Sequence, residues 1–136
     1  MESEQILIEL YDKRQDIASS IYVTKLSDNV FRMIENDILN CRLTLETEFE
    51  TRINKNGKHE IIRIVKDSPF NTRRFMLTQE FVDTGFKALG DKIIENGGFW
   101  EIVFGGIAII NLPIDTDINF DDLFKFVNYY PTEIKD

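Results

Sequence analysis

The strongest constraint on the fold is a run of alternating residues between Arg42 and Ile53. Its odd positions carry apolar side chains or threonine, and its even positions carry mostly charged ones. Because side chains along a strand point alternately to two faces, this run predicts a strand with one face in the core and one in water. Asn56-Gly57 then predicts a hairpin turn, since both residues accept positive φ angles. Residues 60–66 are predicted as the returning strand.

Other short segments before residue 78 also favour strands. They are Gln5 to Tyr11, Ser20 to Lys25, Val30 to Glu35 and Arg74 to Leu77. Turn-forming residues separate the first three of them. Residues 67–71 interrupt the strand pattern before the fourth. We expect the segments before residue 67 to form a curved, barrel-like antiparallel sheet, and Arg74 to Leu77 to begin the second half.

The second half changes to helical spacing. An apolar stripe is formed by Val82, Phe86, Leu89 and Ile93. This stripe predicts one helix, with Thr78 as its N-cap. Gly105-Gly106 joins two apolar runs, which predicts a hairpin covered on both faces, and Asn119 is expected to cap a last helix. The sequence thus predicts an α+β fold in one domain over residues 1–136: a barrel-like N-terminal sheet, then a ferredoxin-like strand–helix–hairpin–helix half.

Composition excludes several chemistries. The chain of 136 residues carries 16 Lys and Arg against 24 Asp and Glu, a formal net charge of -8. One His and one Cys cannot build a Cys/His metal cage or an intrachain disulfide, and we predict no metal or cofactor. No residues are spaced like a nucleophile and its base, so we predict a protein that is not an enzyme. The acidic balance also argues against binding DNA or RNA.

Patterns at the N-terminus and around the thiol bear on the compartment. Glu2 and Glu4 do not suit the basic start of a signal peptide. The most apolar window, Ile102 to Ile110, is shorter than the roughly 20 residues of a membrane helix. The lone Cys41 suits a reducing compartment. We therefore expect a cytoplasmic protein that does not bind a membrane.

Two acidic patterns are candidate partner-binding sites. Glu46, Glu48 and Glu50 share the even face of the predicted strand, although cross-strand pairing with Arg63 or Lys58 would also explain them. The second set comprises Asp115, Asp117 and Asp121. Its spacing is like that of an EF-hand calcium loop, but the glycine and glutamate that such a loop needs are replaced by phenylalanines. We interpret it as an acidic turn that caps a helix.

A third candidate is a small-anion site. Arg73 and Arg74 follow Ser68 and Thr72, and two arginines beside hydroxyl groups suit a phosphate or a carboxylate. The chain has no Walker-type phosphate-binding sequence. The competing interpretation is an ion-paired surface loop.

Four segments, in this order, resemble the bacterial domain of unknown function 4265 family over most of the chain. They are the strand Ile6–Tyr11; Leu26–Arg32 with Asn36 after it; Val65–Ser68 with Thr72 and Arg74; and the glycine-rich hairpin that leads to Leu112-Pro113. Pro69 stands where the family usually has glycine. The resemblance implies a small intracellular bacterial protein and assigns no catalytic residues.

Two functions follow from these observations as hypotheses. The first is a protein-binding module, most concretely an immunity protein that neutralises a basic nuclease toxin through its acidic faces. The alternative is a sensor or regulatory domain that binds small anions at Arg73 and Arg74. The aromatic residues Phe99, Trp100 and Phe104 are predicted to pack in the core.

Overall fold

A computed structural model describes residues 4–38 and 40–135. Over these residues the chain forms nine strands and three helices, so the protein is α+β as predicted. It divides into two compact units, Met1–Ser68 and Pro69–Asp136. This boundary lies in the segment that the sequence predicted to break a strand. The single domain expected over residues 1–136 stays a prediction.

The first unit is a closed β-barrel. Its strands are β1 (Glu4–Asp12), β2 (Ile17–Ser27), β3 (Val30–Met33), β4 (Glu48–Ile53) and β5 (His59–Lys66). Consecutive strands pair antiparallel, and β5 returns beside β1 in parallel, with Leu10 opposite His59. The barrel-like sheet is therefore confirmed, although the parallel β1–β5 pair makes it mixed and not wholly antiparallel. We call the junction of β1 and β5 the seam.

The barrel core contains the inward side chains of alternate residues, as the period-2 pattern predicted. Val23, Phe31, Met33 and Phe49 are almost completely buried. The rings of Phe31 and Phe49 pack with centroids 5.9 Å apart. Leu43 fills the same cluster from the β3–β4 connection.

The alternating run forms a strand only in its second half. β4 begins at Glu48, whereas the predicted strand began at Arg42. A turn precedes it: Thr47 N–H donates to the Thr44 carbonyl at 3.0 Å, and Glu46 adopts a left-handed backbone with φ of 66°. Leu43 and Thr47 are nonetheless buried, because the connection packs on the barrel. Burial in a loop thus produced the same pattern as a strand.

The second unit is a four-stranded antiparallel sheet with helices. Its elements are β6 (Phe70–Met76), α1 (Gln79–Thr84), α2 (Phe86–Glu95), β7 (Phe99–Val103), β8 (Ile107–Pro113), α3 (Phe120–Val127) and β9 (Thr132–Ile134). The strand order is β7-β8-β6-β9. The elements follow a βαββαβ order, with β6 and β8 at the centre of the sheet and β7 and β9 at its edges. This topology is ferredoxin-like, as predicted. The short β9 was not predicted from the sequence.

The predicted long helix is two helices separated at Gly85. Its backbone passes close to a ring, since a Cβ there would lie 2.6 Å from Phe81 Cε1. Glycine is therefore required where α1 ends and α2 begins. The predicted cap is confirmed: Thr78 Oγ1 accepts a hydrogen bond from Phe81 N at 3.2 Å.

Candidate functional site

Two of the three glutamates predicted to bind a partner are paired across strands. Glu48 Oε2 accepts a hydrogen bond from Arg32 Nε at 3.3 Å, and Glu50 Oε1 accepts one from Arg63 Nε at 2.5 Å. The alternative of cross-strand pairing with Arg63 is thus observed. Glu46 differs, because its side chain is exposed in the turn before β4 and makes no ion pair within residues 4–38 and 40–135. Its carboxylate is the one of the three that faces solvent without a neutralising cation.

The three aspartates lie around an exposed loop of the second unit. We define the acidic loop as residues 114–121; Asp115 and Asp117 lie in its connecting segment, and Asp121 lies in the first turn of α3. The loop is anchored at its start, where Ile114 N–H donates to the Pro69 carbonyl at 3.0 Å. The Ile114 side chain is 60% exposed beside the two aspartates. The loop therefore presents an exposed apolar residue next in sequence to two exposed aspartates.

The end of the acidic loop is a helix cap, as predicted. Asn119 Oδ1 accepts from Asp122 N at 2.8 Å, and Asp122 Oδ2 accepts from Asn119 N at 3.1 Å. In the described part of the chain, no group of three or more His, Cys, Asp or Glu side chains is arranged to hold a metal ion. Of the two phenylalanines that replace the calcium-loop residues, Phe120 is buried and Phe126 is exposed.

The proposed anion-binding residues do not present their side chains together. Ser68 Oγ donates to the Leu45 carbonyl at 2.6 Å, and Thr72 Oγ1 donates to Asn111 Oδ1 at 2.7 Å. Arg73 and Arg74 are consecutive residues of β6, so their side chains point to opposite faces of the sheet. Arg74 is only 6% exposed. Arg73 and Arg74 therefore do not lie together in an exposed loop.

Arg73 instead lines a cleft of about 390 Å³ beside the start of α3, together with residues 71, 72 and 119–121. Its Nε donates to Glu133 Oε2 at 2.9 Å, and its Nη2 also contacts this carboxylate. This hydrogen bond lowers the pKa of Glu133 and raises that of Arg73. Asp121 on the cleft wall adds a further negative charge. The cleft is thus lined by Thr72 and Arg73 of the predicted anion site and by Asp121 of the predicted partner-binding set. The charge of Arg73 is already neutralised by Glu133.

The aromatic hairpin residues are exposed, contrary to expectation. β7 is an edge strand of the sheet, and only β8 is central. Phe104, in the turn, is 75% exposed, and Phe99 and Trp100 are also exposed. The prediction that both strands are covered on both faces is therefore wrong for β7. Because β7 and β8 are both strongly apolar, their composition does not indicate which of them lies at the sheet edge.

A cavity of about 240 Å³ at the barrel seam was missed by the sequence analysis. It is lined by residues 10–14 of β1 and the following turn, Asn40 and Arg42 of the β3–β4 connection, Arg52 of β4, and Glu60 and Ile61 of β5. Four separate segments meet there because the barrel closes. In the sequence, these residues belong to a polar loop and to an exposed strand face, so no local pattern marks them.

His59, the first residue of β5, is half-buried. Its Nδ1 lies 2.7 Å from Thr51 Oγ1, and its ring meets Phe31 edge-on with centroids 5.2 Å apart. Burial lowers the pKa of His59 below 6.5. The neutral imidazole is therefore favoured in the folded barrel near pH 7. Cys41, the single cysteine of the chain, is also half-buried.

Comparisons with known proteins bear on the fold. No family model matches the chain, and no curated protein matches it. Among solved structures, it is similar to a hypothetical protein from Neisseria gonorrhoeae, with a TM-score of 0.62 and 15% sequence identity over 98% of this chain and 94% of that chain. At this identity the likeness shows a shared fold only. The resemblance to the domain of unknown function 4265 family stays a prediction. No described helix is long and apolar enough to cross a membrane.

Proposed function

We propose that this protein is an acidic protein-binding module, most concretely an immunity protein that neutralises a basic bacterial toxin. The observation that carries this proposal is the acidic loop, where exposed Ile114 lies beside Asp115 and Asp117. Binding hot spots commonly place an apolar anchor inside a polar rim. The carboxylates would steer a basic partner, and Ile114 would be buried on contact.

The charge of the second unit supports the same proposal. Residues 69–136 carry 6 Lys and Arg against 11 Asp and Glu, a net charge of -5. A surface of this sign raises the association rate of a positively charged partner, with strong dependence on salt. Glu46 adds an exposed carboxylate on the first unit. Glu48 and Glu50 contribute less, since arginines already neutralise them.

The proposal places the protein in the cytoplasm and assigns it binding without catalysis. It predicts a stoichiometric basic partner when the tagged protein is purified from its native organism and the co-purifying proteins are identified by mass spectrometry. It also predicts that expression rescues growth against the toxic product of a co-transcribed neighbour. Absence of rescue together with absence of a basic partner would refute it.

Charge reversal identifies the binding surface. The variant Asp115→Lys/Asp117→Lys is expected to weaken partner binding by about tenfold or more, and the loss should shrink at high salt. The matched control is Glu80→Lys/Asp83→Lys on α1, which makes the same charge change at exposed positions of the same unit. Equal losses in both variants would show that only net charge matters, and the acidic loop would not be the interface.

The alternative function is a small-anion sensor at the cleft beside Arg73. The support is the polar cleft of about 390 Å³ with a guanidinium on its wall. Glu133 must share that guanidinium with any anion, so weak binding is expected. A thermal-shift panel of phosphate, sulfate and carboxylates tests it, with Arg73→Ala expected to abolish any shift. The same shift in this variant would refute the Arg73 site.

A further inference from the structure

The cavity at the barrel seam is lined by four cations from three separate segments of the chain. Lys13 and Arg14 lie in the turn after β1, Arg42 lies in the β3–β4 connection, and Arg52 lies in β4. Arg14 has a carboxylate nearby, since its Nε lies 3.9 Å from Asp12 Oδ1. The other three cations make no ion pair with any residue that the structure describes. Three positive charges without a carboxylate partner therefore surround one concavity.

The arginines of the first unit differ in their pairing according to where they lie. This unit contains five arginines. Arg32 and Arg63 each pair with a glutamate of the neighbouring strand, and Arg14 lies beside an aspartate. The two arginines that have no carboxylate partner among the described residues both line the seam cavity. A shortage of carboxylates does not explain this, because the unit carries 10 Lys and Arg against 13 Asp and Glu.

The charge of the lining is opposite to that of the chain. Asp12 and Glu60 also line the cavity, so its four cations leave a net charge of +2, whereas the whole chain has a charge of -8. Glu60 is the cross-strand neighbour of Arg52, but the two side chains form no ion pair. A phosphate monoester carries a charge of about -1.5 to -2 at pH 7, which matches the lining. An extended polyanion such as a nucleic acid would instead be repelled by the chain as a whole.

The backbone around the two unpaired arginines is held in place. Arg42 N donates to Asn40 Oδ1 at 3.0 Å, and Asp37 N donates to the Leu43 carbonyl at 2.8 Å. The Leu43 side chain is completely buried in the barrel core, which anchors the connection beside Arg42. Arg52 lies in β4, which pairs with β3 and β5. Only the arginine side chains must therefore be ordered when a ligand binds, and this keeps the entropic cost of binding small.

We propose that the seam cavity binds a small phosphorylated molecule through its phosphate group. The guanidinium groups of Arg42 and Arg52 donate to the phosphate oxygens, and Lys13 adds a third positive charge. The volume of about 240 Å³ leaves room beyond one phosphate group but lies below the roughly 300–1,000 Å³ of pockets for drug-sized ligands. The organic part is therefore small, of the size of glycerol, and contacts Leu10 and Ile61 of the lining. This site is independent of the acidic loop, which belongs to the second unit.

Isothermal titration of the full chain with glycerol 3-phosphate, inorganic phosphate and acetate tests the proposal. We expect glycerol 3-phosphate to bind most tightly and to raise the melting temperature. Acetate should bind at least about tenfold more weakly, because it carries a single negative charge. Inorganic phosphate that binds as tightly as glycerol 3-phosphate would overturn the assignment to a phosphorylated molecule. Acetate that binds equally well, or no binding of any probe at millimolar concentration, would overturn the phosphate site itself.

Single substitutions connect binding to the named residues. Arg42→Ala and Arg52→Ala should each weaken glycerol 3-phosphate binding by about tenfold or more and leave the melting temperature of the ligand-free protein unchanged, since both side chains are exposed. Lys66→Ala is the charge-matched control, because Lys66 is exposed and ends β5, away from the residues of this strand that line the cavity. Arg73→Ala distinguishes the seam cavity from the cleft beside α3. Unchanged binding in both seam variants, an equal loss in Lys66→Ala, or a loss confined to Arg73→Ala would each overturn the site.

Discussion

One substitution tests the contact between α2 and the edge strand β7. Gly90 lies within α2, and a Cβ at this position would be 2.9 Å from Trp100 Nε1 and 3.0 Å from Trp100 Cε2. The same indole packs edge-on against Phe86, with centroids 4.5 Å apart. The substitution Gly90→Ala must therefore displace the indole from its position on the helix.

Two opposing effects set the magnitude. Alanine stabilises a helix interior by about 1 kcal/mol relative to glycine. Displacement of Trp100 loses the aromatic contact, about 0.5–1.5 kcal/mol, and re-exposes apolar surface of roughly 50–100 Å², about 1–2.5 kcal/mol. The net expectation is a destabilisation of about 0.5–3 kcal/mol. In a Trp100→Ala background the clash is gone, so the same substitution should stabilise by up to about 1 kcal/mol.

Chemical denaturation of the four proteins of this double-mutant cycle measures the coupling. Trp100 is the single tryptophan of the chain, so its fluorescence reports the displacement directly in the two proteins that retain it. Circular dichroism supplies the stability of the other two. A Gly90→Ala protein that is more stable than the wild type, with an unchanged emission spectrum, would refute the close approach.

Three further outcomes are expected. Phe49→Ala should cost about 3–5 kcal/mol in denaturant unfolding, since Phe49 is fully buried in the barrel; a cost below about 1 kcal/mol would contradict this burial. Burial lowers the pKa of His59, so the unfolded chain binds the proton more readily and the barrel should lose stability as the pH falls below 6.5; His59→Gln should remove this dependence in melting curves. The hydrogen bond from Arg73 lowers the pKa of Glu133, so its stabilisation is present above pH 4.5 and is lost as the pH falls further; an acid titration in which Glu133→Gln behaves like the wild type would exclude this contribution.

Several features were determined by the sequence alone because the residues that produce them are close along the chain. Thr78 caps a backbone N–H three residues away, and so does Asn119. Gly57 takes a positive φ in the predicted hairpin turn. Period-2 and helical spacing then predicted β-strands in the first half and helices in the second. These local preferences were enough for the α+β class and for both halves of the fold.

The same local patterns failed where burial came from distant segments. Leu43 and Thr47 are buried in a connection and so imitated a strand. The apolar β7 is an edge strand, and nothing in its own sequence states how many neighbours it has. The spacing of apolar residues indicates which side chains are buried. Whether they lie in a strand or a loop, and at the centre or edge of a sheet, depends on contacts between residues far apart in sequence.

The candidate sites were decided by the tertiary structure for the same reason. Arg73 and Glu133 are 60 residues apart and meet only because β6 pairs with β9. Asp12 and Asn40 line one cavity only because β5 closes beside β1. The sequence supplied the charged residues, and the pairing of distant strands decided which of those charges are neutralised within the protein.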